Sequence, residues 1–337
     1  MASLDTALDG IDLKSAALLV IDMQNGFLHE KGTLGISGVD TKRLSTIVPA
    51  VKLLVERCQQ VAMPVIWTVQ EHFAKDASRA QKKLAAHTAK RRQISCLAGT
   101  WDAEIIEGLK PLAALNPSYV IRKHRFGAFY ETRLEMLLRQ LGTRTLFVIG
   151  TTTNACVETS IREAYLRDYD VVAVTDCISG VNAEWEQTAQ KVWAQYFCVL
   201  HESGEVLRWI DAQSAPRVVD FMHMILQVSE IAAAKHFYHD LLGLTPRPMI
   251  PLADGRSVVP FEQGIALTVG HAGRPLQIDH MAFRVNDVRA LANRLKSANV
   301  EFFDELHDGK LGLTIYVADP DGNKIELIQP EARLARE

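Results

Sequence analysis

The sequence predicts an α/β protein, a doubly wound parallel sheet with helices on both faces, followed by an α+β domain of two βαβββ modules. Three observations carry that expectation. The chain is 337 residues long, more than most single domains hold. From Ala16 to His201, short apolar and β-branched runs alternate with helix-length amphipathic ones, the pattern of strand and crossover helix in a parallel sheet. Further on, an octet repeats: His223-Met224-Ile225-Leu226-Gln227-Val228-Ser229-Glu230 matches His280-Met281-Ala282-Phe283-Arg284-Val285-Asn286-Asp287, and each leads into an amphipathic helix.

Six strands are expected in the first half, at residues 17–22, 65–69, 119–123, 145–150, 171–176 and 198–201. Their near-continuous apolar character suits strands covered on both faces. Helices are expected between them at 42–60, 132–141, 154–168 and 184–196. The stretch from Ser203 to Pro216 breaks the alternation and ends in Ser214-Ala215-Pro216, which sets a first domain at 1–205, a linker at 206–216 and a second domain at 217–337. In the second domain the helix 231–242 stops at Gly243, a natural C-cap. Several short strands follow each helix.

Composition narrows the function classes. Hydrophobic residues make up 48% and charged residues 23%, with a formal charge of -3, unlike a disordered chain or a sequence-independent nucleic-acid binder. The basic stretch 82–92 is interrupted by Leu84, Ala85, Ala86 and His87 and reads as a solvated helix face. Residues 1–13 carry Asp5, Asp9 and Asp12 and lack a basic-then-apolar export signal. No apolar run approaches the roughly 20 residues that span a bilayer. The expectation is a soluble, cytoplasmic protein with neither a membrane nor a nucleic-acid partner. Its five cysteines, Cys58, Cys96, Cys156, Cys177 and Cys198, are odd in number and widely spaced, so they are expected as reduced thiols.

Asp22, Lys123 and Cys156 fall near the carboxyl ends of predicted neighbouring strands, where doubly wound folds place their sites. A cysteine opening the helix 154–168 has its thiolate favoured by the helix dipole, and a nearby lysine favours it further. Asp22 is suited to accept and return the proton. The strings Leu18-Leu19-Val20-Ile21-Asp22-Met23-Gln24-Asn25-Gly26-Phe27, Lys123 with Arg125, Phe126 and Phe129, and Gly150-Thr151-Thr152-Thr153-Asn154-Ala155-Cys156-Val157-Glu158-Thr159 resemble the isochorismatase-like cysteine hydrolases over residues 15–200. The resemblance implies an Asp22, Lys123, Cys156 triad that needs no cofactor, an oxyanion hole at the N–H groups of Thr152 and Cys156, and a cis peptide at Thr151-Thr152. Family members that cleave the vinyl ether of isochorismate lack the cysteine, so Cys156 implies amide cleavage. Nicotinamidases of the family add a metal site on an Asp-x-His signature; Glu71-His72-Phe73 stands there instead. The segments Gly99-Thr100-Trp101 and Lys123 to Phe129 are closer to the ureidoacrylate and biuret hydrolase branch. A small amide or ureide substrate follows, with Gln24, Phe129 and Gln195 as substrate contacts and a homo-oligomer as the assembly.

In the second domain the repeat sets His223 and His280 at equivalent positions on the first strands of two facing sheets. Glu326 is the third candidate, on the strand after the turn Asp319-Pro320-Asp321-Gly322. Two histidines and a carboxylate suit Fe(II), Mn(II), Ni(II) or Zn(II). The pattern resembles the vicinal-oxygen-chelate superfamily over residues 219–330, which implies His223, His280 and Glu326 as metal ligands. Glyoxalase I has a further glutamate ligand, whereas the matching strand here, Gly264-Ile265-Ala266-Leu267-Thr268, carries alanine, against methylglyoxal chemistry. Three readings stand open: an amidohydrolase with an accessory second domain, a metal-dependent dioxygenase, isomerase or lyase served by the first domain, or a metal-free binding module.

Overall fold

Six strands, β1 (Ala16–Ile21), β2 (Val65–Gln70), β3 (Val120–Lys123), β4 (Thr145–Thr151), β5 (Asp170–Ser179) and β6 (Val199–His201), build the first sheet. The computed structural model describes residues 8, 10–75, 93–252, 255–270, 278–318 and 323–330. The basic stretch 82–92 and the turn 319–322 lie outside these. The strands pair in parallel in the order β3-β2-β1-β4-β5-β6. All six residues of β1 are buried, because alternate side chains enter two cores. Leu18 and Val20 pack with Leu54 and Val55 of the helix Val48–Gln60. Leu19 and Ile21 pack with Leu138 of Leu134–Gln140, Ile161 of Glu158–Tyr165 and Trp193 of Ala183–Tyr196. Each fully buried aliphatic side chain contributes about 1.5–3 kcal/mol.

Three expectations are corrected here. The helix expected at 42–60 is two, Thr41–Ser45 and Val48–Gln60, because Pro49 has no N–H to bond back to Ser45 and starts a helix instead. The helix expected at 154–168 opens as a wide turn, Thr153–Val157, and becomes α-helical only over Glu158–Tyr165. Both Ala155 N–H and Val157 N–H bond to Thr152 O there, at 3.1 and 3.2 Å. The stretch 206–216 is mostly the helix Ser203–Ser214 rather than a linker. Asp176 caps its start through Ser203 N–H, and Val206, Trp209 and Ile210 join the first core at helical spacing. The chain divides into two compact units, Met1–Ser214 and Ala215–Glu337.

The second unit is one curled sheet of β7 (Val218–Val228), β8 (Ile250–Pro251), β9 (Ser257–Pro260), β10 (Ile265–Val269), β11 (Ile278–Val285), β12 (His307–Gly309), β13 (Gly312–Ala318) and β14 (Lys324–Gln329), in the order β12-β13-β14-β11-β7-β10-β9-β8. Two βαβββ modules make it. In each, the first strand pairs in parallel with the last, β7 with β10 and β11 with β14. The two first strands pair antiparallel at the centre, so they are neighbours in one sheet and not members of two facing sheets. The module helices are Ile231–Lys235, which widens into His236–Leu241 and stops before Gly243 at φ 73°, and Val288–Ser297, capped by Asp287. No helix among the described residues is long and apolar enough to cross a membrane.

Candidate active site and candidate metal centre

The first site lies at the carboxyl ends of β1 to β4, beside the point where strand order reverses between β1 and β4. Asp22 ends β1 with φ 51°; its Oδ1 accepts from Thr68 Oγ1 at 2.7 Å. Its Oδ2 lies 2.7 Å from Lys123 Nζ at the end of β3, and both side chains are fully buried. Lys123 Nζ also donates to Gln70 Oε1 at 2.9 Å and to the carbonyls of Arg125 and Phe126 at 3.1 Å. Burial alone favours the neutral amine, but Asp22 and Cys156 outweigh it and hold the ammonium above its ordinary value.

Cys156 sits in the wide turn after β4, buried, and close enough to Asp22 and Lys123 for both to act on its thiol. Burial pushes the thiol up to about 12, against the lowering by Lys123 and with a further rise from Asp22. Lys123 lowers the thiol as the sequence suggests, but desolvation exceeds that lowering and the net shift is upward. The turn follows a cis peptide at Thr151-Thr152. Gly150 precedes it at φ 119°, where a Cβ would fall 2.1 Å from Ile21 O, so β1 and β4 approach this closely only over glycine.

The expected substrate contacts fare differently. Gln24 is buried, and its side chain bonds backbone: Nε2 donates to Gln70 O and Ala103 O at 2.9 and 2.7 Å, and Oε1 accepts from Gln70 N–H at 2.8 Å. Those bonds use both amide hydrogens, so Gln24 braces the strand that carries Gln70. Phe129 packs in the core cluster that holds Cys156, under the Arg167 guanidinium. Gln195 is exposed in the last turn of Ala183–Tyr196, a solvent-facing position. Gln70 and Thr68, absent from the sequence reading, contact Lys123 and Asp22; the signal was a polar residue ending an apolar strand.

In the second unit, strand register explains how a cluster forms. His223 pairs with Ala282 across β7 and β11, Ala282 with Glu326 across β11 and β14, and Glu326 with Tyr316 across β14 and β13. The small Ala282 leaves the space between His223 and Glu326 open. His280, diagonal to His223, follows a register shift between Ile278 and His280, of the kind that re-aims side chains. The two Nε2 atoms stand 3.4 Å apart, and Glu326 Oε2 lies 3.0 Å from that of His280 and 3.6 Å from that of His223. Among the described residues this is the group of His, Cys, Asp and Glu able to hold a metal ion.

Partners behind the cluster orient it. Asp279 Oδ2 lies 2.8 Å from His280 Nδ1, while Arg256 and Gln227 donate to its other oxygen at 2.7 and 3.1 Å. Those bonds, that from His280 foremost, hold the Asp279 carboxyl far below its usual range. Tyr316 OH donates to Glu326 Oε1 at 2.7 Å. Burial lowers His223, whereas for His280 burial is outweighed by Asp279 and Glu326 and the imidazole is raised. Three donors converging on one point, two of them fixed from behind, fit a divalent transition metal.

Comparison with known proteins agrees with both halves. The model of the Glyoxalase/Bleomycin resistance protein/Dioxygenase superfamily matches residues 220–327. The chain is 30% identical over 177 residues to ureidoacrylate amidohydrolase RutB of Methylorubrum extorquens, covering 49% of this chain and 70% of that one. It is 32% identical over 173 residues to a probable inactive nicotinamidase of Arabidopsis thaliana, covering 51% and 84%. The fold of the first unit is shared with a cysteine hydrolase of Pseudomonas syringae pv. phaseolicola 1448A, at a TM-score of 0.54 and 24% identity over 60% of this chain and 95% of that one. The isochorismatase domain model matches residues 16–205, more than half the chain, and the protein belongs to that family.

Proposed function

We propose that the first unit is an amidohydrolase that cleaves a C–N bond of a small amide or ureide through a thioester at Cys156. The observation that carries this reading is the fully buried Asp22–Lys123 ion pair, with the buried Cys156 thiol under the influence of both charges. Asp22 takes the thiol proton as Sγ attacks the carbonyl carbon, because burial keeps that proton on sulfur until a base removes it. Lys123 stays an ammonium throughout and offsets the negative charge that moves between Asp22 and sulfur. The N–H groups of Thr152 and Cys156 bind the oxyanion. Asp22 then protonates the departing nitrogen, the C–N bond breaks, and the acyl group remains on sulfur. Water attacks the thioester and gives a proton to Asp22, the C–S bond breaks as the acid leaves, and Asp22 returns the proton to sulfur.

Ureidoacrylate, on which the bacterial relatives are named to act, is the first substrate to test. Ammonia release from it by the wild-type chain, lost in Cys156→Ala, supports the reading; equal release by both contradicts it.

His223, His280 and Glu326 are the residues that would hold a divalent metal in the second unit. When bound, such an ion polarises an oxygen ligand as a Lewis acid. Asp279 keeps the His280 proton on Nδ1, which leaves Nε2 as a donor. A second enzymatic reaction in this unit is the alternative to a binding role, and metal titration followed by ligand screening separates them.

A further inference from the structure

The turn that carries Cys156 is tied to the end of β5 by a carboxylate that the chemistry above does not use. Glu186 stands in the first turn of the helix Ala183–Tyr196. Its Oε2 accepts from Thr153 Oγ1 at 3.0 Å and from Gly180 N–H at 2.6 Å. Its Oε1 lies 3.1 Å from the Arg43 guanidinium, whose other nitrogen donates to Gly180 O. Thr153 is fully buried and is the first residue of the turn. A Cβ on Gly180 would fall 2.8 Å from Thr153 Oγ1, so the end of β5 and the turn are already in contact. Two residues before Thr153, Thr151 Oγ1 donates to Ser179 O at 3.2 Å.

We infer that Glu186 is a positioning residue for acyl transfer: through Thr153 it fixes the turn whose backbone N–H groups meet the oxyanion. The inference rests on reading Cys156 as the acyl-forming nucleophile. Thr153 lies between Thr152 and Cys156, the two residues whose N–H groups bind that oxygen. Turning the Thr153 side chain free lets the turn rotate about Thr152, which the Ala155 and Val157 N–H bonds to Thr152 O leave as its pivot. A displacement of about 1 Å at such donors costs on the order of a hundredfold in rate. The carboxylate and the ammonium that act on the thiol stand outside the turn, since Asp22 and Lys123 are held from β1, β2 and β3.

Two reagents separate these contributions. With p-nitrophenyl acetate, sulfur attacks the ester carbonyl, Asp22 takes the thiol proton, and the C–O bond breaks to release p-nitrophenolate; an oxyanion forms on the way. With iodoacetamide, Asp22 again takes the thiol proton, the S–C bond forms as C–I breaks and iodide leaves, with no oxyanion. In Glu186→Ala the limiting acylation rate is expected to fall tenfold or more, with half-saturation and the iodoacetamide rate within twofold of wild type. Thr153→Val should reproduce this, and Thr153→Ser, which keeps the hydroxyl, should restore it. Wild-type acylation in both Glu186→Ala and Thr153→Val overturns the inference, as does an equal fall in acylation and alkylation, which marks a disordered thiol. Thr153→Val carries the test alone if Glu186→Ala does not fold. A wild-type chain with no Cys156-dependent burst overturns the nucleophile reading, and this inference with it.

Discussion

At the residue scale, Cys156 shows how far a sequence motif predicts chemistry. Its position after β4 and its partners Asp22 and Lys123 were legible, because parallel strands deliver their carboxyl ends to one edge of the sheet. Its protonation state was not, because burial is a property of the fold and raises the thiol more than Lys123 lowers it. The pH dependence follows from that sign. Alkylation of the free enzyme should be slow near neutrality and rise with pH toward about 12, and Lys123→Met should move the rise further up. Rates of iodoacetamide modification against pH check both; a wild-type plateau below pH 8 contradicts them. Lys123→Met also leaves Asp22 buried without its cation, which should cost about 3–5 kcal/mol of stability, measured by urea unfolding. Gln24 makes the opposite case. It lies two residues from Asp22 in a motif, yet its bonds to Gln70 and Ala103 are structural, and nothing in its spacing distinguishes those roles.

At the element scale, strands were more legible than helix ends. Apolar runs located β1 to β6 to within a few residues, since strands buried on both faces carry a continuous signal. The break at Pro49 and the wide turn before Glu158 are set by single backbone bonds, and the helix Ser203–Ser214 was hidden by Ser203-Gly204 at its start and by Ser214-Ala215-Pro216 at its end. In the second unit the repeat identified equivalent strands, but their pairing in one sheet follows from register, which the repeat does not encode. That register makes Ala282 a sensitive position. Ala282→Leu should fill the space between His223 and Glu326 and weaken metal uptake at least tenfold in calorimetric titration. Unchanged affinity would mean that the ligands do not converge across this row. Gly150→Ala should destabilise by about 1–3 kcal/mol from its backbone conformation alone, before the contact with Ile21 O is counted.

At the scale of the whole molecule, the two units should be chemically separable, because the chemistry proposed at Cys156 calls on a thiol, a carboxylate and an ammonium, and the His223, His280, Glu326 cluster has no thiol. Chelation is expected to strip the second unit and leave ammonia release within twofold of its starting rate. Buried thiols also shape the alkaline limit of stability. Burial raises Cys58, Cys156 and Cys198 from about 9 to about 12, and raises Cys96 and Cys177 further. A folded-state value above the unfolded one gives stability that is complete below pH 9 and is lost as pH rises toward 12. The unfolding midpoint should therefore fall across that window, less steeply in Cys58→Ala. The thioester at Cys156 is open to rapid-quench mass spectrometry of the chain during ureidoacrylate turnover. An acyl adduct mapped to Cys156, formed and lost at the rate of turnover and absent in Cys156→Ala, is expected. Ammonia release at the wild-type rate from Cys156→Ala, or turnover with no adduct on any residue, would contradict it.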